Sequence, residues 1–520
     1  MAQWNKNNQD YLNQERTLFE VYMCADRYGN IDGCNGTASA SSAFGENVSV
    51  PITPVFQLDG LYGLNSQRFE TYSFGTGITT SNTLMTASSG TGAFGYGVIR
   101  SKRAVRYRPG QGALARFTAQ FSGSVEGYTQ RAGFFTQEQA LQVGFNTNGK
   151  FGILRENGGK AHIHRFTVTT PSSGTENITV TLAGAATTVT IPSGTAQENV
   201  TGIGTNTFSG WITDYENGFI EFLSTSVCPK TGTFSIVSDG DLVATATTAQ
   251  AGVNHTSDWI YQEDWNFDTM LGTGGATNPS GVTLDPTKLN VYQINFRWLG
   301  VGEIRFAVEN PDTGDMMPFH HIHYSNRNND VHLDNPSLKI GYVAAELNGN
   351  TGAGVTVSGA SMMGAIEGII NTTTFPVAAT RAKSGGMNTS DTKYHLLTIK
   401  SNLIANNKIN TRELIIKRLT GGTTASASNP CTLYLYIDPE YSTERLDFTP
   451  IGYSASFSRT DCTITGGTPI AVFNITSGAP DTFDLDNLRI TLPPQAKLAV
   501  AVESTAVMQS ASCGVTFIED

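Results

Sequence analysis

Residues 291–324 read VYQINFRWLGVGEIRFAVENPDTGDMMPFHHIHY. Three runs, Val291–Trp298, Glu303–Val308 and Met316–Tyr324, are joined by the glycine-containing stretches LGVG and ENPDTGD. Alternation of period two puts one face of a strand on a core and the other in solvent, and a helix cannot satisfy it. Successive runs joined this way make a β-meander. The composition points the same way. Charged residues are 15% of the chain, against about 25% in ordinary domains. Thr, Ser, Asn and 55 Gly take their place. Such residues suit twisted sheets and tight turns and leave little material for surface helices. The expected fold is all-β: a multidomain, jelly-roll-like β-sandwich with a small inserted, mostly-β domain and an extended N-terminal arm.

The pattern divides the chain. Residues 1–92 read as an arm or assembly region, because the stretch SFGTGITTSNTLMTASSGTGAFGYG holds too few apolar residues for a core of its own. Within it, NQERTLFEVYMCAD is a candidate helix or strand. Residues 93–165 and 251–370 read as one split sandwich. In AVRYRPGQGALARFTAQF, the runs Ala104–Arg108 and Ala113–Phe121 flank PGQG and predict a hairpin. LQVGFNTNGKFGILRENGG predicts another, with Val143, Phe145, Phe151 and Ile153 on one face. Residues 166–250 form the insertion, with a short helix capped by Ser193 or Thr195. Residues 371–390 read as a linker, and 391–520 as a C-terminal β-sandwich.

Several functions are disfavoured. The net charge of −11 argues against a nucleic-acid partner. No apolar run reaches the roughly 18 residues of a transmembrane span. The polar N-terminus lacks the hydrophobic stretch of a secretory signal. Six cysteines stand apart with no CxxC, so a zinc knuckle is not expected and reduced thiols are. Cys431, Cys462 and Cys513 fall in one late segment.

Four of the eight histidines, His320, His321, His323 and His332, lie in 318–336. In a strand, His321 and His323 share one face, and His320 and Ile322 the other. A two-histidine comb is a metal geometry, and a trimer axis would bring three such pairs together. No carboxylate stands near it in sequence at ligand spacing, so the favoured reading is a structural strand, with no cofactor. His162 and His164 repeat the spacing and are candidates for a neighbouring strand. In DWIYQEDWNFDTM, Trp259, Tyr261 and Trp265 stand among Asp258, Glu263, Asp264 and Asp268. Aromatics beside carboxylates bind and sometimes cleave sugars; the plainer reading is core aromatics and loop-capping acids. Arg103, Arg106, Arg108 and Arg116 read as contacts to a neighbouring subunit's carboxylates, with acidic sugars as the alternative. No GxSxG, HExxH or P-loop pattern is present, so no catalytic residues are assigned and the chain is not read as an enzyme.

Four stretches resemble a family of virion structural proteins of tailed phages and large DNA viruses. They are VRYRPGQGALARFTAQF with VGFNTNGKFGILRENGG; SGTAQENVTGIG with CPKTGTFSI; GTGGATNPSGVTLDPTKLNVYQINFRWLGVGEIRFAVENPDTG through the histidines; and CGVTFIED. The resemblance covers 93–370 well and the C-terminal domain loosely. It implies a non-enzymatic component of a virus particle, such as a tail fibre, baseplate spike or capsid-surface protein, made in the host cytoplasm. It also implies a homo-oligomer, often a homotrimer. Other virion proteins would be held through the N-terminal arm, and host-surface glycans are the alternative partner. Less favoured is a polysaccharide-degrading tailspike.

Overall fold

The computed structural model describes residues 24–25, 31–33, 37–38, 51–75, 77–81, 83–352, 354–369, 376–387, 392–423, 431–443, 446–475, 481–504 and 508–520. In the unit formed by 1–53 and 367–369, the short strands Cys24–Ala25, Ile31–Gly33 and Thr37–Ala38 pair antiparallel in that order. The rest of residues 1–50, including most of NQERTLFEVYMCAD, lies outside the described residues.

Among its described residues, the second unit is all-β apart from one helix and short 3₁₀ turns. Its first sandwich packs a seven-stranded antiparallel sheet against a nine-stranded one. The seven-stranded sheet runs Thr256–Tyr261, Phe151–Asn157, Ala140–Phe145, Tyr128–Phe135, Lys339–Glu346, Tyr96–Ser101, Phe69–Phe74. The other runs Met316–Ile322, Ile304–Glu309, Asn290–Arg297, Gly112–Phe121, Thr356–Gly359, Leu84–Ser88, Ile78–Ser81, with Ser361–Glu367 and Ile52–Asp59 attached. Aromatic side chains interdigitate between the sheets. Phe121 meets Phe145 edge to face at 6.0 Å, and Phe134 meets Phe296 at 5.6 Å. The meander is present, with Tyr292 opposite Val308 and Ile304 opposite Ile322.

Three boundaries differ from the sequence reading. Strands from 52 to 101 belong to the sandwich sheets; half-buried Leu84, Thr86 and Ser88 alternate with buried Met85 and Ala87, and Phe69 is buried at the start of its strand, so short strands borrow a core that the segment lacks alone. Ala104–Arg108 is not a hairpin arm: Val105 makes one isolated bridge to Leu338, and Gly112–Phe121 pairs instead with Asn290–Arg297. Part of the expected linker, Pro376–Met387, is a strand paired with Met508–Glu519. By contrast, 140–157 forms the hairpin expected, with Val143 opposite Ile153.

The inserted unit is entered by Ile163–Thr170 and left by Val243–Gln250, which pair side by side. Its helix, Ala196–Gly204, starts at Thr195, whose hydroxyl accepts from the Glu198 N–H while the Glu198 carboxylate accepts from the Thr195 N–H. Val200 and Ile203 from the helix pack with Phe166, Ile178, Val180 and Phe222. The C-terminal sandwich has a five-stranded and a six-stranded sheet around Leu397, Ile416, Leu433, Leu498 and Phe517. Cys431, Cys462 and Cys513 are free and buried there. No helix among the described residues is long and apolar enough to cross a membrane.

Candidate metal centre

The opposed pairs Ile304–Ile322 and Arg305–His321 set the register of the HHIH strand. Continued by one residue, that register puts Glu303 opposite His323. Glu303, Arg305, His321 and His323 therefore share the outward face. Ile304, Phe306 and His320 turn inward; all three are buried, and His320 Nδ1 accepts from the Asn266 N–H at 3.2 Å.

On the outward face, Glu303 Oε1 lies 2.9 Å from His321 Nδ1 and 3.4 Å from His323 Nδ1. One ligand atom from each of the three residues falls within 4.8 Å of the others. Glu303 Oε2 faces the other way and accepts from Arg305 Nε at 2.7 Å and Arg297 Nη2 at 3.2 Å. Burial pushes the Glu303 carboxyl up, but Arg305 and the two imidazoles outweigh it and hold the group below the usual range. Burial holds His321 below the usual imidazole value against the pull of Glu303.

His321 is the fixed member. It is 8% exposed, and its ring lies on Phe267 at 3.9 Å. Asn266 clamps its backbone: His321 N–H donates to Asn266 Oδ1 at 2.9 Å, and Asn266 Nδ2 donates to the His321 carbonyl at 2.8 Å. His323, just beyond the strand, has a side chain 43% exposed.

The expectation that no carboxylate accompanies the comb is corrected. Glu303 immediately precedes the adjacent strand Ile304–Glu309, 18 positions from His321 along the chain, so spacing along a single run cannot reveal it. The signal was available in the meander itself, because a hairpin pairing of GEIRF with HHIH brings Glu303 to His323. His162 and His164 are not on a neighbouring strand. They lie in the inserted unit, stacked against Phe234 at 5.0 and 4.3 Å.

The segment DWIYQEDWNFDTM does not form an aromatic shelf. Trp265 is 4% exposed and packs on Phe319 at 4.1 Å, so it belongs to the core. Trp259 is half-buried opposite Leu154. The Tyr261 hydroxyl accepts from Asn146 Nδ2 at 3.0 Å, and Lys150 sits over its ring at 4.7 Å. Asp258 pairs with Arg155, and Asp268 organises its loop by accepting from Met270 N, Asn278 Nδ2 and Ser280 N. The segment instead walls the histidine strand through Trp265, Asn266 and Phe267.

The arginines read as subunit contacts are engaged within the chain. Arg103 grips Glu413 of the C-terminal domain, with Nη2 to Oε2 at 2.8 Å. Arg106 and Arg108 lie 3.4 and 2.5 Å from Asp520. Arg116 donates to Gln293 Oε1 on the neighbouring strand at 2.6 Å.

No family model and no curated protein matches the chain. Solved structures that match include the lectin from Bauhinia forficata in complex with GalNAc, at 11% identity and a TM-score of 0.20, covering 60% of this chain and 97% of that one. Another is lectin UEA-II complexed with galactose, at 6% identity and a TM-score of 0.22, covering 61% of this chain and 100% of that one.

Proposed function

We propose that the chain is a non-enzymatic structural protein of a virus particle, a fibre, spike or capsid-surface component of a tailed phage or large DNA virus, and that it works as a homo-oligomer. The sequence resemblance supports membership of the particle. The observation that carries self-assembly is the edge of the C-terminal six-stranded sheet. That edge is Ile464–Ile475: the Ile464 N–H donates to the Lys393 carbonyl, and beyond it the strand pairs, among the described residues, with Cys431–Tyr441 alone. Ile470 is 36% and Val472 54% exposed along it. Monomeric proteins keep such edges short, charged or covered, and an open one accepts a strand from a second chain. The buried ion pairs between domains suit a rigid building block.

Light scattering on the full chain, and on a chain beginning at residue 52, tests this reading. An oligomer that survives the deletion and is weakened by Val472→Lys is expected. A monomer in both forms overturns self-assembly through the sheet edge. Absence of the chain from purified particles overturns the virion role.

The glycan-binding alternative has its own observation, away from Trp265. Phe74 and Tyr96 stack at 6.5 Å while 60% and 40% exposed, with Tyr72 on the same outward face of the edge strand. Phe74→Ala with Tyr96→Ala abolishes adsorption to host cells under this reading and leaves the fold intact. Unchanged adsorption sinks it.

A further inference from the structure

We propose that Glu303, His321 and His323 form a binding site for a first-row divalent transition-metal ion of the zinc type. The proposal goes beyond the virion role and does not depend on it. Two imidazoles and one carboxylate are a donor set that borderline divalent ions prefer. Bonds of about 2.0–2.2 Å in a tetrahedron put neighbouring ligand atoms roughly 3.3–3.6 Å apart. The two nitrogen-to-oxygen separations here are 2.9 and 3.4 Å, and the three ligand atoms all lie within 4.8 Å of one another, so rotation of the exposed His323 ring is what closes the set around an ion.

The surroundings prepare the ligands. Asn266 and Phe267 fix His321, as above. Arg305 and Arg297 occupy Oε2, which orients the Glu303 carboxylate and leaves Oε1 to face both imidazoles; ligating carboxylates are characteristically hydrogen-bonded on their other oxygen. Three protein ligands leave a position for water or an anion. The two guanidinium groups favour an anion there and oppose the cation itself. Arg297, whose side chain is 60% exposed, is the one that can be removed with least structural consequence.

The competing arrangement is a hydrogen-bonded cluster in which both Nδ1 atoms keep their protons and donate to Glu303. The two predict different things. Untagged full-length protein, stripped with chelator, is titrated with Co2+ alone and then with Zn2+, followed by visible absorption and calorimetry. One saturable equivalent of Co2+, a tetrahedral Co2+ spectrum and its displacement by Zn2+ are expected. His323→Ala is expected to lower Co2+ affinity at least tenfold with an unchanged melting temperature, since His323 is half-exposed. Arg297→Gln is expected to raise it. Absence of saturable uptake overturns the proposal, and so does equal affinity in folded His323→Ala.

Discussion

Where the inserted unit meets the C-terminal sandwich, a buried ion pair lies beside apolar contacts of Leu223 with Leu403 and of Tyr215 with Phe448, and its removal is a quantitative test of how the units are joined. Lys400 Nζ donates to Asp214 Oδ1 at 2.7 Å and to the Tyr215 carbonyl at 2.9 Å, beneath the Phe448 ring at 4.8 Å. Asp214 Oδ2 accepts from the N–H groups of Leu403 and Ile404 at 2.7 and 3.3 Å. Lys400 is 4% exposed and Asp214 8%. Asp214→Ala leaves the ammonium buried without its counter-charge and two N–H groups without acceptors. Breaking a buried pair costs about 3–5 kcal/mol, and an orphaned buried N–H about 1–3 more unless water enters. We expect a total near ~5 kcal/mol. Lys400→Met leaves Asp214 its backbone donors, including the Tyr215 N–H at 3.0 Å, so about half that loss is expected. The double variant should lose at least ~1 kcal/mol less than the sum of the singles. A chain of several domains has no single unfolding free energy, so the assay is native-state hydrogen exchange at the Leu403 and Ile404 amides. If Asp214→Ala shifts their opening free energy by under ~1 kcal/mol, or if the two changes simply add, the pair does not join these units.

Other outcomes follow from the same geometry. His164, His332 and His395 are each held down to about 4 by burial. The unfolded chain binds protons from about pH 6.5 downward while the folded one refuses them, so stability is full above about 6.5 and is lost as pH falls toward 4, by up to ~3 kcal/mol per group. Glu216, raised to about 7 by burial, works in the opposite direction, losing its contribution as pH rises from about 4.5 through 7. Amide exchange beside each of these groups at pH 7 and pH 5, corrected for intrinsic rates, reads the local balance, and higher protection beside the three histidines at pH 5 would refute it. Trp265→Ala should cost about 3–5 kcal/mol in the opening free energy of the first sandwich as a core truncation, read by amide exchange at Phe319 and its neighbours; loss of cell adsorption with unchanged exchange would refute the core placement. Thr195→Ala removes half of the capping box and should cost about 1 kcal/mol in local stability of the helix 196–204, read by amide exchange, with no change elsewhere.

Period-two alternation made the strand-rich fold, the 140–157 hairpin and the meander legible, and capping chemistry narrowed the helix start to Ser193 or Thr195, because each is written in contiguous residues. What escaped was pairing between distant segments. Ile78–Ser81 and Leu84–Ser88 look too polar to build a core, yet the latter lies beside Thr356–Gly359 and shares its apolar face. Glu303 was named as a strand end but not as a neighbour of His323, since register and not spacing joins them. The arginine run was read toward a neighbouring subunit's carboxylates; Arg103, Arg106 and Arg108 meet Glu413 and Asp520 of their own chain and Arg116 meets the Gln293 amide, partners that only the folded register brings near. Trp265 and Tyr261, four residues apart, have opposite surroundings because the chain turns between them through a 3₁₀ turn at Gln262–Asp264.

The side-by-side pairing of Ile163–Thr170 with Val243–Gln250 has a kinetic consequence. Glu156 and Ser257 sit opposite each other in the first sandwich, with a loop of about 100 residues between them, and closing such a loop is costly. Once the inserted unit folds, its ends are neighbours and the effective loop shrinks to about 14 residues, which lowers the closure entropy by nearly 2 kcal/mol. A contact that is remote along the chain thus becomes local during folding. The order of events is then set from inside out, with the insertion first and the edge strand Thr256–Tyr261 after it.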